Sequence, residues 1–292
     1  MFVNVVEDWK DYECIDASCG EKYERWGNVY LLRPDPQVVW DNGNLLEKYN
    51  GRIDAVYHRS NKGGGYWENI GNPPASWVIN YNHLFFHIKQ MGFKHTGLFP
   101  EQAFNWNFMI DKIQKSNRKI RVLNLFAYTG GATVACLSAG AHVTHVDSSR
   151  GMVDWCRENV NSSGFQGENI RYIVDDVVKF VKREIRRGNH YDAIVMDPPS
   201  YGRGINGEVW DIEKSLNYLV SLCVDLLSDN PLFFLINSYT TGMSSMVLEN
   251  LLQLTVEKKF EGKISCGEVG LPIRENHLIL PCGIYGRWEC NE

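Results

Sequence analysis

The segment Asp197-Pro198-Pro199-Ser200-Tyr201 carries the densest chemistry in this 292-residue chain. It follows the apolar run Ala193-Ile194-Val195-Met196. Two prolines fix the backbone and withhold their N–H groups. The Pro198 carbonyl and the Asp197 carboxylate therefore stay available to accept hydrogen bonds from a substrate amine, and Tyr201 can stack on a planar ring. A rigid turn is the competing reading, and the better one for Pro-Pro in isolation. Three further features in register with it favour chemistry.

The first is Val122-Leu123-Asn124-Leu125-Phe126-Ala127-Tyr128-Thr129-Gly130-Gly131, placed where a strand turns into a helix. Glycines there let a backbone approach a ligand, and helix N–H groups point at anionic groups. The alternative is a tight strand-to-helix turn. The second is Asp147, at the end of the next apolar run and 17 residues after Gly130. A carboxylate at that tip can accept both hydroxyls of a ribose. It can also cap the helix opened by Asp147-Ser148-Ser149, and the two roles are compatible. The third is Asp175-Asp176 before Val177, where one acid can accept the exocyclic amine of adenine and the other can cap. Asp176, immediately before the helix, is the expected adenine partner.

These turns need a scaffold. From Ile120 onward, apolar runs of strand length alternate with segments of helical period, which predicts a parallel sheet flanked by helices. The expected strands are Arg121–Phe126, His142–Asp147, Ile170–Val174, Tyr191–Met196 and Leu232–Asn237. The expected helices are Ala132–Ala139, Gly151–Ser162, Val177–Arg187, Ile212–Leu227 and Ser245–Lys259. Strand-like runs near Lys263–Val269 and His277–Gly286 are joined too closely for a crossover helix. They predict a closing hairpin and seven strands, the last antiparallel.

Residues 1–110 have another texture. Six of nine tryptophans lie there, and short runs such as Val29–Leu32, Val38–Trp40 and Ala55–Tyr57 are separated by glycine, asparagine and aspartate. That pattern predicts a small antiparallel sheet. The expected organisation is a β-rich domain at 1–90 with a part in substrate recognition, a linking helical region at 91–117 that contributes to the site, and an α/β domain at 118–292.

Taken together, Asn-Leu-Phe-Ala-Tyr-Thr-Gly-Gly, the Asp147-Ser-Ser step, Asp175-Asp176-Val and Met-Asp-Pro-Pro-Ser-Tyr resemble the class I S-adenosylmethionine-dependent methyltransferases. Within that class they are similar to the bacterial 23S ribosomal-RNA group typified by the cytosine-C5 enzyme. The likeness covers about residues 95–290, including Thr96-Gly-Leu-Phe-Pro-Glu-Gln102. It implies a Rossmann-like seven-stranded sheet, S-adenosyl-L-methionine as cofactor and an RNA base as acceptor. The donor would lie at Asn124, Phe126, Ala127, Tyr128, Thr129, Gly130, Asp147, Ser148, Asp175, Asp176, Val177 and Asp197. Glu101 and Gln102 would meet its amino-acid end, and Asp197, Pro198 and Tyr201 would hold the acceptor.

Two departures stand out. Cytosine-C5 enzymes of the group place a nucleophilic cysteine after strand five, where this chain reads Asn237-Ser238-Tyr239. C5 of cytosine is not nucleophilic until a thiolate adds to the ring, so a base nitrogen is the expected target. Ala103 stands where the group carries an arginine, and the N-terminal region does not read as the usual RNA-binding domain. The loop after Tyr201 holds three glycines, Arg203 and Trp210. It is expected to be a mobile lid that brings Arg203 to the acceptor.

Composition bounds the alternatives. The net charge of −5 arises within residues 1–50, and the remainder is balanced. Charge therefore gives no independent support for a nucleic-acid partner. The cluster Lys112, Lys115, Arg118, Lys119 and Arg121 reads first as a solvated face. Eight scattered cysteines form no C-x-x-C pair, so no metal knuckle is indicated. Methyl transfer itself needs no metal. Met1 to Glu13 carries four acids and no apolar core, and no run approaches membrane-spanning length. A cytoplasmic protein without a membrane partner is expected. A nucleotide-dependent oxidoreductase is disfavoured because the first turn lacks G-x-G-x-x-G. A non-catalytic binding module is disfavoured by the full set of donor motifs.

Overall fold

The computed structural model describes residues 3–60, 64–167, 169–204 and 207–291, which form two compact units. One holds residues 3–103 and 270–282, the other residues 104–269 and 283–291.

The second unit is built on a sheet whose strands are labelled here in chain order. They are β1 (Arg121–Leu125), β2 (His142–Asp147), β3 (Ile170–Val174), β4 (Ala193–Met196), β5 (Phe233–Ser238), β6 (Gly262–Pro272) and β7 (Ile279–Cys290). Their spatial order is β6-β7-β5-β4-β1-β2-β3, and the two-residue strand Val3–Asn4 adds an eighth at the edge beside β6, one more than the seven expected. The neighbours from β5 to β3 run parallel, and β7 runs antiparallel to β5, pairing Phe233 with Glu289 and Ser238 with Ile284. Residues 270–282, at the turn of the β6–β7 hairpin, pack with the first unit.

Six helices cover this sheet or lead into it: α1 (Ala103–Lys115), α2 (Gly131–Ser138), α3 (Arg150–Ser162), α4 (Val177–Arg186), α5 (Ile212–Val224) and α6 (Ser245–Leu254). Parallel strands are apolar on both faces because helices cover both, and all four residues of β4 are buried. One core cluster joins Leu123, Leu125, Ile194, Met196, Phe234 and Ile236 of the strands to Phe180, Leu219, Val220 and Leu248 of the helices. The predicted strands and helices are all present, with shifted ends. Helix α6 stops at Leu254, where Thr255 leaves the helical region at φ −123° and ψ −75° and its hydroxyl donates to the Leu251 carbonyl, and residues 255–259 form turns.

The first unit contains a five-stranded sheet in the order Tyr12–Ser18, Glu21–Trp26, Val29–Pro34, Ala55–Arg59, Gly65–Asn69. A separate hairpin pairs Trp77–Tyr81 with Leu84–Ile88. The expectation of a purely antiparallel sheet is corrected at one pair. Leu31 and Leu32 pair in parallel with Ala55 and Val56, because the chain crosses over through the short helix Leu45–Lys48. Val38–Trp40 is not a strand, and Val39 is exposed.

Candidate active site

Sheet register brings the sequence features together. Leu125 pairs with Val146 on one side and Met196 on the other, and Asp147 pairs with Val174. Phe126, Asp197 and Asp175 therefore leave the sheet at one edge, where Asp147 ends its strand. In open α/β sheets, ligands bind in the crevice at the carboxyl ends of the strands.

The turn after β1 is strained. Phe126, Tyr128 and Gly130 have φ of 51°, 49° and 86°. Bulky residues seldom occupy the left-handed region, and such outliers concentrate at functional sites. The turn is held from several sides. Ala127 N–H donates to the Val146 carbonyl (3.1 Å), Gly130 N–H to the Ala127 carbonyl (3.0 Å), and the Asn159 side chain to the Thr129 carbonyl (2.9 Å). Thr129, Gly130 and Ala127 are buried, while Phe126 and Tyr128 are half-buried.

The two glycines have a packing reason of their own. A Cβ on Gly130 would sit 2.3 Å from the Cys156 sulfur, and one on Gly131 would sit 2.8 Å from the Trp106 ring. Glycine here lets α2 approach α3 and α1 from behind. Close approach by a ligand, the reason inferred from sequence, is not needed to explain either residue.

Asn124 also differs from expectation. Its side chain is buried and points behind the turn, where Nδ2 donates to Thr133 Oγ1 (2.9 Å). Thr133 Oγ1 in turn meets His145 Nδ1 at 2.9 Å, and Cys156 Sγ lies 3.4 Å from the same nitrogen. This interior chain links β1, α2, β2 and α3. Burial pushes the His145 imidazole down to about 3, opposed weakly by the backbone of Tyr128, so the ring is neutral. Its spacing from Asn124 gave no sequence signal, because the residues meet only through strand pairing.

Asp147 is not a helix cap. The cap position of α3 is Ser149, whose side chain makes no capping bond. Instead Asp147 Oδ2 accepts the Tyr128 N–H (2.9 Å) and Oδ1 accepts the Ser149 N–H (2.8 Å). The carboxylate thus stitches the turn after β1 to the turn after β2, and each oxygen keeps a second lone pair. Burial raises its pKa, partly offset by those two bonds. Ser148 lies half-buried between the two turns. After β3 the capping role falls to Asp176, whose Oδ1 accepts the Lys179 N–H (2.8 Å). Capping occupies one of its oxygens. Asp175 accepts the Asp176 N–H (2.8 Å) and pairs with Arg183, and Val177 is buried beside them.

Asp197 follows at the end of β4, half-buried, with its N–H on the Leu125 carbonyl (3.3 Å). Pro198 is buried and Pro199 exposed, and the Pro199 carbonyl accepts the Trp210 indole N–H at 2.6 Å. Tyr201 is 55% exposed, so its ring has a face to offer. Ser200 Oγ meets Thr240 Oγ1 at 2.8 Å, tying this turn to the one after β5.

The expected glycine loop is a hairpin. Tyr201–Arg203 pairs with Val209–Asp211, Tyr201 opposite Asp211. Trp210 is buried against Phe126, ring centroids 4.8 Å apart, and Lys179 pairs with Glu208. Strand pairing and the tryptophan anchor thus replace the free backbone that three glycines suggested. Arg203 is exposed, its Nε 3.4 Å from the Tyr201 hydroxyl. Ile205 and Asn206 of the loop lie outside the described residues.

Four strand ends thus present carboxylates and constrained turns at one edge, an arrangement suited to a nucleoside and an acceptor side by side. The profile of the S-adenosylmethionine-dependent methyltransferase family matches residues 30–256. The chain belongs to this family. The crystal structure of the S-adenosylmethionine-dependent methyltransferase from Agrobacterium tumefaciens matches with a TM-score of 0.93 at 30% identity, over 100% of this chain and 94% of that one. A methyltransferase structure complexed with SAH shares the fold, with a TM-score of 0.72 at 20% identity over 97% and 76% of the two chains. The methyltransferase therefore has the class I sheet that the motifs implied, and S-adenosyl-L-methionine as cofactor.

Among curated relatives, the Ribosomal RNA large subunit methyltransferase K of Neisseria meningitidis serogroup B is 28% identical over 78% of this chain and 65% of its own length. The Ribosomal RNA large subunit methyltransferase K/L of Syntrophotalea carbinolica is 26% identical over 71% and 29%. The chain spans less than two thirds of the length of either.

Glu101 and Gln102 are buried in the turn Pro100–Gln102 that leads directly into α1. Pro100 opens that turn, where its missing N–H costs nothing. The basic cluster is largely neutralised within the chain. Lys112 pairs with Glu289, Lys115 with Asp111 and Arg118 with Asp192, while Arg121 lies over the Tyr191 ring. Asn237 and Ser238 are buried, and Asn237 Oδ1 accepts from Asn105 Nδ2 (2.9 Å). No helix among the described residues is long and apolar enough to cross a membrane.

Proposed function

We propose that this methyltransferase methylates a nitrogen of an RNA base, ribosomal RNA in particular, in the cytoplasm. The observation that carries the reading is the Asp197-Pro198 turn. It stands at the same sheet edge as the strained turn after β1, with the exposed Tyr201 ring beyond it. The names of the relatives support an RNA acceptor, and the missing cysteine after β5 favours nitrogen over C5.

The bound sulfonium supplies an already activated methyl group. The chain's residues then align a nucleophile against it, and such alignment contributes roughly 7–11 kcal/mol in favourable cases. Asp147 would hold the ribose hydroxyls, Asp176 the adenine amine, and Glu101 and Gln102 the amino-acid end. Asp197 and the Pro198 carbonyl accept the N–H groups of the target amine. They would leave its lone pair free to attack, so that the C–N bond forms as the methyl–sulfur bond breaks, S-adenosylhomocysteine leaves with that electron pair, and the amine gives up a proton. Tyr201 stacks on the base, which must first be flipped out of any helix. Arg203, at the start of the hairpin, meets a phosphate or base edge, and residues 1–90 contribute to substrate recognition.

The test is methyl transfer from S-adenosylmethionine to bulk RNA. Asp197→Asn should lower kcat by about a hundredfold, the scale of a misaligned nucleophile, while the enzyme still binds S-adenosylhomocysteine. Arg203→Ala should raise KM for RNA and spare donor affinity. Transfer to protein alone would overturn the reading.

A further inference from the structure

A cavity of about 650 Å³ lies wholly within the first unit, against the face of its sheet. This is within the range of small-molecule sites, roughly 300–1,000 Å³. Its floor is a row of tyrosines. Tyr23 stacks on Tyr49 at 4.2 Å between ring centroids and on Tyr30 at 6.0 Å, with interplanar angles of 26° and 25°. Two of the three are committed to the interior. The Tyr23 hydroxyl donates to the Arg52 carbonyl (2.7 Å) and the Tyr49 hydroxyl to Asp16 (3.0 Å). Tyr30 ends the row half-buried, and its hydroxyl has no hydrogen-bond partner among the described residues.

The rim is polar and cationic. The side chains of Asn28 and Arg52 are exposed and have no partner among the described residues. Arg274 contributes a second guanidinium, whose partner Glu13 is shared with Arg25. Asp54 is the sole acid in the lining among the described residues, and its Oδ2 already accepts the Tyr30 N–H (2.7 Å).

We infer that this cavity binds one unpaired nucleotide of the RNA substrate, other than the base that reacts. The inference rests on the RNA reading above. An aromatic ring end takes a base face, an amide takes base edges, and guanidinium groups take phosphate oxygens. Those three elements together define single-strand recognition. An RNA enzyme needs such a grip somewhere, and three of the five cations of the Lys112–Arg121 cluster, Lys112, Lys115 and Arg118, are paired with acids of the chain. The occupant is a single-stranded segment, because a paired base has no free face to stack.

The test uses the full chain and a short fluorescein-labelled single-stranded RNA, read by anisotropy, with steady-state turnover on bulk RNA beside it. Tyr30→Leu removes the ring and keeps the bulk, Tyr30→Phe keeps the ring, and Arg52→Ala removes the unpaired cation. Loss of one stacked base corresponds to roughly a five- to 150-fold drop in affinity. Tyr30→Leu and Arg52→Ala should show it as weaker RNA binding and raised KM. Their kcat and S-adenosylhomocysteine affinity should stay near wild type, and Tyr30→Phe should behave as wild type. Unchanged RNA binding and KM in Tyr30→Leu and Arg52→Ala, with the wild type active on RNA, would overturn the cavity site and leave the RNA reading standing. A wild type that neither binds nor methylates RNA would overturn both. Lost S-adenosylhomocysteine binding in Tyr30→Leu together with Tyr30→Phe would assign Tyr30 to folding and overturn the site.

Discussion

Replacing Asp147 with alanine separates a donor-binding acid from one that only bridges two turns. Its two oxygens accept the Tyr128 and Ser149 backbone N–H groups at 2.9 and 2.8 Å. Ser149 is exposed, so its amide regains a water. Tyr128 is half-buried and in a strained conformation, so its amide loses a charge-assisted bond. The expected stability loss is about one such bond, roughly 1.5–3 kcal/mol. Donor binding should suffer further, because the proposed ribose contact would disappear and the turn after β1 loses a tether. A charged hydrogen bond alone corresponds to about a 10- to 150-fold weaker Kd. Calorimetric titration with S-adenosylhomocysteine reads the affinity, and urea unfolding of the same sample reads the stability. Asp147→Asn is the control of shape. It keeps one acceptor but turns an amide NH2 toward a backbone N–H, so it should also weaken binding. A folded Asp147→Ala protein with wild-type affinity would remove Asp147 from the site and refute the reasoning.

Burial holds the His145 imidazole neutral, with its pKa lowered from about 6.5 to about 3. The native state therefore binds fewer protons than the unfolded chain between those values, and stability falls as pH drops below about 6.5. The His145 share of the loss should reach about 2 kcal/mol between pH 7 and pH 5, read by urea unfolding, and His145→Asn should reduce the pH dependence by about that amount, leaving the share of His95, whose burial lowers its pKa to about 4. RNA substituted with 5-fluorocytosine should form no covalent adduct on a denaturing gel. Cys223 is buried with its pKa pushed up, and the Cys266 thiol is raised by burial and held on Glu249 (2.9 Å). An adduct through either cysteine would contradict the assignment to nitrogen. Trp210→Ala should cost about 3–5 kcal/mol, the scale of a buried aromatic, because it loses the Phe126 contact and the bond to Pro199. Trp210→Phe should keep most of that stability by thermal unfolding, and equal losses would show that packing is not what anchors the hairpin.

The parallel sheet was legible because β1 to β5 are apolar runs of strand length separated by helical periods. The convergence of Phe126, Asp147, Asp175 and Asp197 followed from their shared position after strand ends. What depended on partners distant in sequence was not legible. Asn124 reads as a site residue, yet its side chain faces Thr133 because alternation along β1 turns it inward. Asp147 and Asp176 both precede helices, and only the turn geometry shows that Asp176 caps α4 while Asp147 bridges two turns. Gly130 and Gly131 answer to Cys156 and Trp106, neighbours that no local pattern announces. In the first unit, the parallel pairing of Leu31 with Ala55 depends on a crossover through residues 35–54, where short-range turn signals carry no information about direction.

Labelled methyl transfer tests the central claim most directly. The full chain would be incubated with methyl-labelled S-adenosylmethionine and ribosomal RNA from cells lacking its gene. Digestion to nucleosides and mass spectrometry would follow. One labelled nucleoside bearing its methyl on a base nitrogen, absent with Asp197→Asn, is the predicted result. Labelled 5-methylcytidine, a methyl on the ribose, or label confined to protein would contradict it.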